Sequence, residues 1–74
     1  MIHLFVDIRD NDVLNADSVG LDFDSIERAR DEALKTLIEL AQEAPSSGMN
    51  KLSVELRTAA GSIVLQATLV LQVL

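Results

Sequence analysis

Ile63-Val64-Leu65-Gln66-Ala67-Thr68-Leu69-Val70-Leu71-Gln72-Val73-Leu74 carries no charged residue and reads at a period of two. One face of the strand it predicts shows Ile63, Leu65, Ala67, Leu69, Leu71 and Val73. The other shows Val64, Gln66, Thr68, Val70, Gln72 and Leu74. A strand with one wet face normally alternates apolar and polar residues. Here the second face is half apolar, so the segment is expected mid-sheet, flanked by the other two long strands, with that second face partly covered.

Working back from this segment, Thr58-Ala59-Ala60-Gly61 predicts a turn, and Leu52, Val54 and Leu56 alternate with Ser53, Glu55 and Arg57 as a half-buried strand. Ser46 to Asn50, with Gly48, is expected to be a loop. At the other end, Ile2, Leu4, Val6 and Ile8 alternate with His3, Phe5, Asp7 and Arg9. Asp10-Asn11-Asp12 follows as a turn, because Asn and Asp bond nearby backbone and tolerate positive φ. Val13-Leu14 suggests a short return strand, Asn15 to Gly20 a loop, and Leu21-Asp22-Phe23 the entry to a helix. Asp24 is the expected N-cap, with Glu27 completing a capping box and Phe23 stapling back onto the first turn. Ile26, Ala29, Ala33, Leu37, Leu40, Ala41 and Ala44 form one apolar stripe at helical spacing. Arg28/Glu32, Asp31/Lys35 and Lys35/Glu39 are i,i+4 pairs on the wet side. Pro45 ends the helix by disfavouring helical geometry at Ala44. Leu34 and Ile38 form a second, smaller apolar strip beside the main one. The elements β-(β)-α-β-β predict an α+β fold: one helix packed on a mostly antiparallel three- to four-stranded sheet, as one domain over residues 1–74.

At 74 residues the core is small. Cores below roughly 70–80 residues rarely supply more than about 3–5 kcal/mol without a disulfide, a metal or oligomerisation. There is no cysteine and only one histidine, which leaves oligomerisation and predicts a homodimer. The net charge of −6 opposes nucleic acid and anionic lipid, so nucleic-acid binding is not expected. Asp7, Arg9 and Asp10 interrupt any signal-like run, and no apolar stretch approaches the roughly 20 residues of a membrane helix. A cytoplasmic location, away from membranes, is expected.

The candidates for chemistry are few. Asp7, Asp10, Asp12, Asp17, Asp22 and Asp24 crowd the first third of the chain. A calcium loop starting at Asp10 would need Gly and Glu where Asn15 and Leu21 stand, so turn and cap roles are expected instead. His3 as a catalytic base needs an acid, and its same-strand neighbour Asp7 lies roughly 13 Å away at strand rise. A partner could come only from another strand, and a structural or surface role is expected. There is no Gly-rich phosphate loop, no proline after Met1 for tautomerase chemistry, and no Gly-Gly carrier tail. On the strand face away from the helix, Arg9 and Arg57 with Phe5 form a minimal version of a single-strand-binding face. Each arginine is next to an acid in alternation, which favours cross-strand ion pairs.

The string Leu4-Phe5-Val6-Asp7-Ile8-Arg9-Asp10 precedes Asp17-x-x-Gly20-x-x-Phe23, the helix with Ala29 and Glu32-Ala33-Leu34, then Leu52-Ser53-Val54-Glu55-Leu56-Arg57 and Gly61. This order resembles a family of short bacterial proteins classed as a domain of unknown function. Asn11 stands where that pattern has Gly in Asp-Gly-Asp, and Thr58 where the second turn begins Arg-Asp. The resemblance implies the fold and a bacterial origin and brings no activity. Ser25-Ile26-Glu27-Arg28-Ala29 with Glu32-Ala33-Leu34 is also similar to the helix of HicB-type antitoxins, without their Pro- and Gly-rich lead-in or an added DNA-binding element.

These readings predict a small non-enzymatic interaction or accessory domain that self-associates, with an unidentified protein as a second partner class and no cofactor or metal. The rival is an antitoxin-like regulator binding a toxin partner or nucleic acid. The candidate interaction surface is Phe5, Arg9, Arg57, Val64, Val70, Leu74, Leu34 and Ile38.

Overall fold

The computed structural model describes residues 1–45 and 47–74. Its elements in order are β1 (Ile2–Asp10), β2 (Val13–Asn15), β3 (Leu21–Phe23), α1 (Ile26–Gln42), β4 (Gly48–Arg57) and β5 (Ile63–Val73). The strands form one antiparallel sheet in the order β2-β1-β4-β5, with β3 also paired to β1. The class is α+β, with five strands where three to four were expected. The extra strand is Leu21–Phe23, which pairs with Ile2–Leu4. Three residues are too few to show a period of two, so the sequence reads them only as a helix entry.

β4, not β5, is the central strand. Leu52, Ser53 and Val54 are buried in succession, at 1%, 6% and 0% exposure, because β4 has a long neighbour on each side. β5 pairs along its whole length with β4 and, among the described residues, with nothing else. The expectation that β5 lies mid-sheet is therefore corrected. Its even-numbered face is exposed, and its odd-numbered face from Leu65 to Val73 is only half-buried. A helix about 10 Å across covers roughly two strands spaced about 4.8 Å apart, and β5 lies at the margin of that cover.

The core joins Leu4, Phe23, Ala29, Ala33, Leu37, Leu52, Val54 and Leu56. Ala29 and Ala33 let α1 approach the sheet closely, and Leu37 fills the space beyond them. Ile26, on the same wheel stripe, is 42% exposed, so the buried stripe begins at Ala29. The N-cap is Ser25, not Asp24: Ser25 Oγ accepts the amide of Arg28 at 3.1 Å. β3 keeps the chain extended up to Phe23, and Ser25 is still extended at φ −157°, ψ 168°. The third helical residue is then Arg28, so no capping box forms, and Phe23 joins the core from β3. The i,i+4 pairs Arg28/Glu32, Asp31/Lys35 and Lys35/Glu39 do not close to ion-pair distance. Exposed pairs gain too little to order two long side chains.

Asp10–Asp12 turns as expected, with Asn11 at φ 55°. Its amide donates to the Lys51 carbonyl at 2.8 Å, and its Oδ1 accepts the Lys51 amide at 2.9 Å. Of the loop expected over Ser46–Asn50, Gly48–Asn50 belong to β4 and Ser46 lies outside the described residues.

Candidate functional site

The two long edges of the sheet are finished differently. On the β1 side, β3 pairs with Ile2–Leu4 and β2 with Ile8–Asp10. Between them the amide of Val6 points outward with no strand to receive it. Asp17 occupies this gap. Its Oδ2 accepts the Val6 amide at 3.1 Å, and its Oδ1 accepts the amides of Val19 and Gly20, both at 3.0 Å. Donation from Gly20, then Val19 and Val6, stabilises the carboxylate and holds its pKa below the ordinary 3.8.

Arg57 ties this loop to the sheet face. Its Nε donates to Asp7 Oδ2 at 2.6 Å and its Nη2 to the Asp17 carbonyl at 2.8 Å. Asp7 Oδ1 accepts the Asp17 amide at 2.9 Å. Phe5 lies opposite Arg57 and Asp7 opposite Glu55, so Arg57 reaches Asp7 along the diagonal. Its guanidinium carbon sits 4.6 Å from the Phe5 ring centre. Asp7 is 8% exposed. Burial pushes its carboxyl up, but the bonds from Arg57 and the Asp17 amide and the Arg57 charge together hold it below 3.8.

His3 secures the far end of the loop. Nδ1 lies 2.7 Å from Asp22 Oδ1, and Nε2 lies 3.1 Å from the Val19 carbonyl oxygen. Both partners are acceptors, so both bonds exist together only when both ring nitrogens carry protons. The Asp22 bond raises His3 above its ordinary 6.5; slight desolvation opposes this and the Val19 carbonyl reinforces it. Phe5 meets the ring edge-on at 5.3 Å between centres. Gly20 packs against the ring at φ +79°, where a Cβ would lie 2.4 Å from Nε2. The cluster therefore holds a loop on a sheet. The Asp7 and Asp17 carboxylates bind backbone and arginine, and both His3 nitrogens face acceptors.

The β5 edge carries none of these devices. In an antiparallel ladder the backbone polar groups of alternate residues point to opposite sides. The Lys51 amide and carbonyl both bond to Asn11, so β4 residues 51, 53, 55 and 57 point toward β1, and 50, 52, 54 and 56 toward β5. Leu52, Val54 and Leu56 face Leu69, Ala67 and Leu65. The amides and carbonyls of Gln66, Thr68, Val70 and Gln72 are therefore the outward ones, along an uncharged strand of 11 residues whose register shifts at Val64, the extra residue between the Leu56/Leu65 and Arg57/Ile63 pairs.

The candidate surface residues divide between these two places. Phe5 and Arg57 meet each other in the loop cluster. Arg9 is exposed opposite Ser53, apart from that cluster. Val64, Val70 and Leu74 are 41%, 57% and 106% exposed at β5. Glu32, Ala33 and Thr36 line a small cavity with Val6, Ile8, Leu21 and Phe23 on the β1 side. At about 100° per residue, Leu34 and Ile38 then lie on the opposite flank of α1, toward β5. Ile38 is 58% exposed and Leu34 is half-buried. The candidate surface omits Asp17, Gly20 and the His3–Asp22 pair. The one signal for them is Asp17-x-x-Gly20, an acceptor just before a residue free to adopt positive φ.

The family described as Domain of unknown function (DUF6894) matches residues 3–70. The chain belongs to that family. The DUF6894 match runs from His3 to Val70, so it takes in both the loop cluster and most of β5. No curated protein and no solved structure matches the chain. No helix among the described residues is long and apolar enough to cross a membrane.

Proposed function

We propose that this chain is a small non-enzymatic interaction domain whose contact surface is the outer edge of β5, and that it self-associates there. One observation carries the reading. The β1 edge is closed by two strands of three residues and by the Asp17 cap, whereas the longest strand, β5, leaves its backbone open. Proteins normally blunt such an edge with lysine, proline, a bulge or a cover. Between Ile63 and Val73 there is no lysine and no proline, and the bulge at Val64 lies at the start of the strand, leaving Leu65 to Val73 in regular register. The non-enzymatic part rests on the loop cluster, where His3, Asp7, Asp17 and Arg57 hold the chain together. A bacterial, cytoplasmic setting accords with the strand and turn strings shared with short bacterial proteins and with the absence of cysteine.

Sedimentation equilibrium over micromolar concentrations tests the reading. The wild type should fit a dimer, closed two-fold assembly being the commonest solution. Val70→Lys places a charge on the open edge and should shift the fit toward monomer, while Glu39→Lys on the helix should not. A wild type that stays monomeric at every concentration would sink self-association.

A further inference from the structure

The peptide unit between Val19 and Gly20 is gripped at both ends. Its N–H, on Gly20, donates to Asp17 Oδ1 at 3.0 Å, and its carbonyl oxygen, on Val19, lies 3.1 Å from His3 Nε2. The other ring nitrogen, Nδ1, lies 2.7 Å from Asp22 Oδ1 on β3. We propose that His3 is a proton-operated latch on this corner of the edge loop: the charged ring holds both Asp22 and the Val19 carbonyl, and the neutral ring keeps Asp22 and lets the carbonyl go. Asp17 holds the N–H end of the peptide in both states. It also keeps the Val6 amide capped, so the β1 edge stays closed while the Val19–Gly20 corner is released.

The order of release follows from charge. A neutral imidazole has one donor nitrogen and one acceptor nitrogen. With its proton on Nε2, the Nδ1 lone pair would face a carboxylate; with its proton on Nδ1, the Nε2 lone pair faces only a neutral carbonyl. A hydrogen bond to a charged acceptor is roughly twice as strong as one to a neutral acceptor. The Nδ1–H form is therefore favoured, and the Val19 bond is the one lost. Around the ring, the Asp22 bond from β3 favours the charged form most, and the Val19 carbonyl and the Asp17 charge from the loop add to it against slight desolvation. On β1 the neighbour is Phe5, edge-on at 5.3 Å. Arg57 of β4 lies over that Phe5 ring and is committed to Asp7 and the Asp17 carbonyl. The helix packs on the opposite face, where Leu4 and not His3 enters the core. Asp7 and Asp17 are held below the ordinary carboxylate value, so they keep their charge near neutrality, where histidine changes its own. The His3 side chain is 48% exposed, so water reaches it to carry the proton. Gly20, at φ +79°, has no Cβ to oppose rotation of the released carbonyl.

Carbon-detected NMR of the isotope-labelled protein, titrated from mildly acidic to alkaline pH, tests the latch without depending on fast-exchanging amides. The ring nitrogen shifts of the single histidine give its midpoint and its neutral tautomer, and the backbone carbonyl shifts follow the bonds. The neutral ring should be the Nδ1–H form. The Val19 carbonyl should shift with the ring's midpoint, and the Asp17 carbonyl, held by Arg57, should not. Asp22→Asn removes the charge that orders the release. Its side-chain amide can turn to donate to Nδ1, which lets the neutral ring keep Nε2–H on Val19. In that variant the ring's midpoint should fall and the Val19 shift should shrink, with circular dichroism confirming the fold. An Nε2–H tautomer in the wild type, or a Val19 carbonyl that ignores the ring's titration, would overturn the latch. An Asp17 carbonyl that follows the ring's midpoint would overturn its confinement to this corner. A Val19 response unchanged in Asp22→Asn would overturn the order of release.

Discussion

The Asp17 carboxylate accepts the Val6 amide at 3.1 Å, in the one stretch of β1 that neither β2 nor β3 covers. A loop side chain thus completes the edge of a sheet. The same residue, through its own amide and carbonyl, is bound to Asp7 and Arg57. Edge, loop and sheet face are therefore one coupled unit, and removing any member should disturb the others.

Arg57→Met removes the partner of Asp7 and leaves a buried carboxylate facing Phe5 and the Asp17 amide alone. Leaving such a group short of a partner costs roughly 1–3 kcal/mol. Urea denaturation should show a loss in that range. Amide exchange at Val19 and Gly20 should rise more than at Leu52 or Val54, because Arg57 also holds the Asp17 carbonyl. Equal protection changes in loop and core would contradict the coupling.

Gly20→Ala meets two obstacles. The backbone at φ +79° is unfavourable for a residue with a Cβ, and that Cβ would lie 2.4 Å from His3 Nε2. A left-handed conformation alone costs roughly 1–2 kcal/mol. The variant should lose at least that much stability in a thermal or urea melt. In the His3→Ala background the same substitution should cost less, because the steric part disappears, but not zero, because the backbone part remains. A double-mutant cycle with no coupling would show that the ring does not restrain Gly20.

Leu37→Ala should cost about 2–5 kcal/mol, the range for a buried leucine, since Leu37 is 6% exposed in the core. Ile38, one residue on, is 58% exposed, and Ile38→Ala should cost under about 1 kcal/mol. Both are to be measured in urea at concentrations that keep the protein monomeric. Equal costs would place the wrong flank of α1 inward.

Stability should peak in mildly acidic solution. Asp7 and Asp17 titrate below 3.8 in the folded chain, so their contribution is present above that value and is lost as pH falls through their folded pKa values. His3 titrates above 6.5 in the folded chain, so its contribution is complete below 6.5 and is lost as pH rises through the folded value. The urea midpoint should fall on both sides of this window. In His3→Gln the alkaline decline should flatten while the acid one stays. A wild-type midpoint that rises from pH 6 to 9 would contradict the pairing of His3 with Asp22.

Much of this molecule is legible in local pattern. The alternation over Ile2–Arg9, Leu52–Arg57 and Ile63–Leu74 identifies three strands and which residues share a face, because successive side chains alternate regardless of neighbours. The spacing of Ala29, Ala33 and Leu37 identifies the buried side of the helix for the same local reason. Asp10–Asp12 and Thr58–Gly61 announce turns through their own backbone chemistry. That β5 is uncharged and half apolar on its second face is also plain from its residues, but its meaning is not. The same pattern suits a central strand and an unprotected edge. Periodicity reports the faces of a strand, and only pairing decides its edges. Pairing is set by the whole sheet competing for one helix: β4 takes the centre, β1 is finished by β2, β3 and Asp17, and β5 is left with its outer backbone open. The loop cluster depended on tertiary structure in the same way. Arg57 meets the Asp17 carbonyl across 40 residues of sequence, and His3 meets Asp22 across 19, contacts that no local spacing encodes.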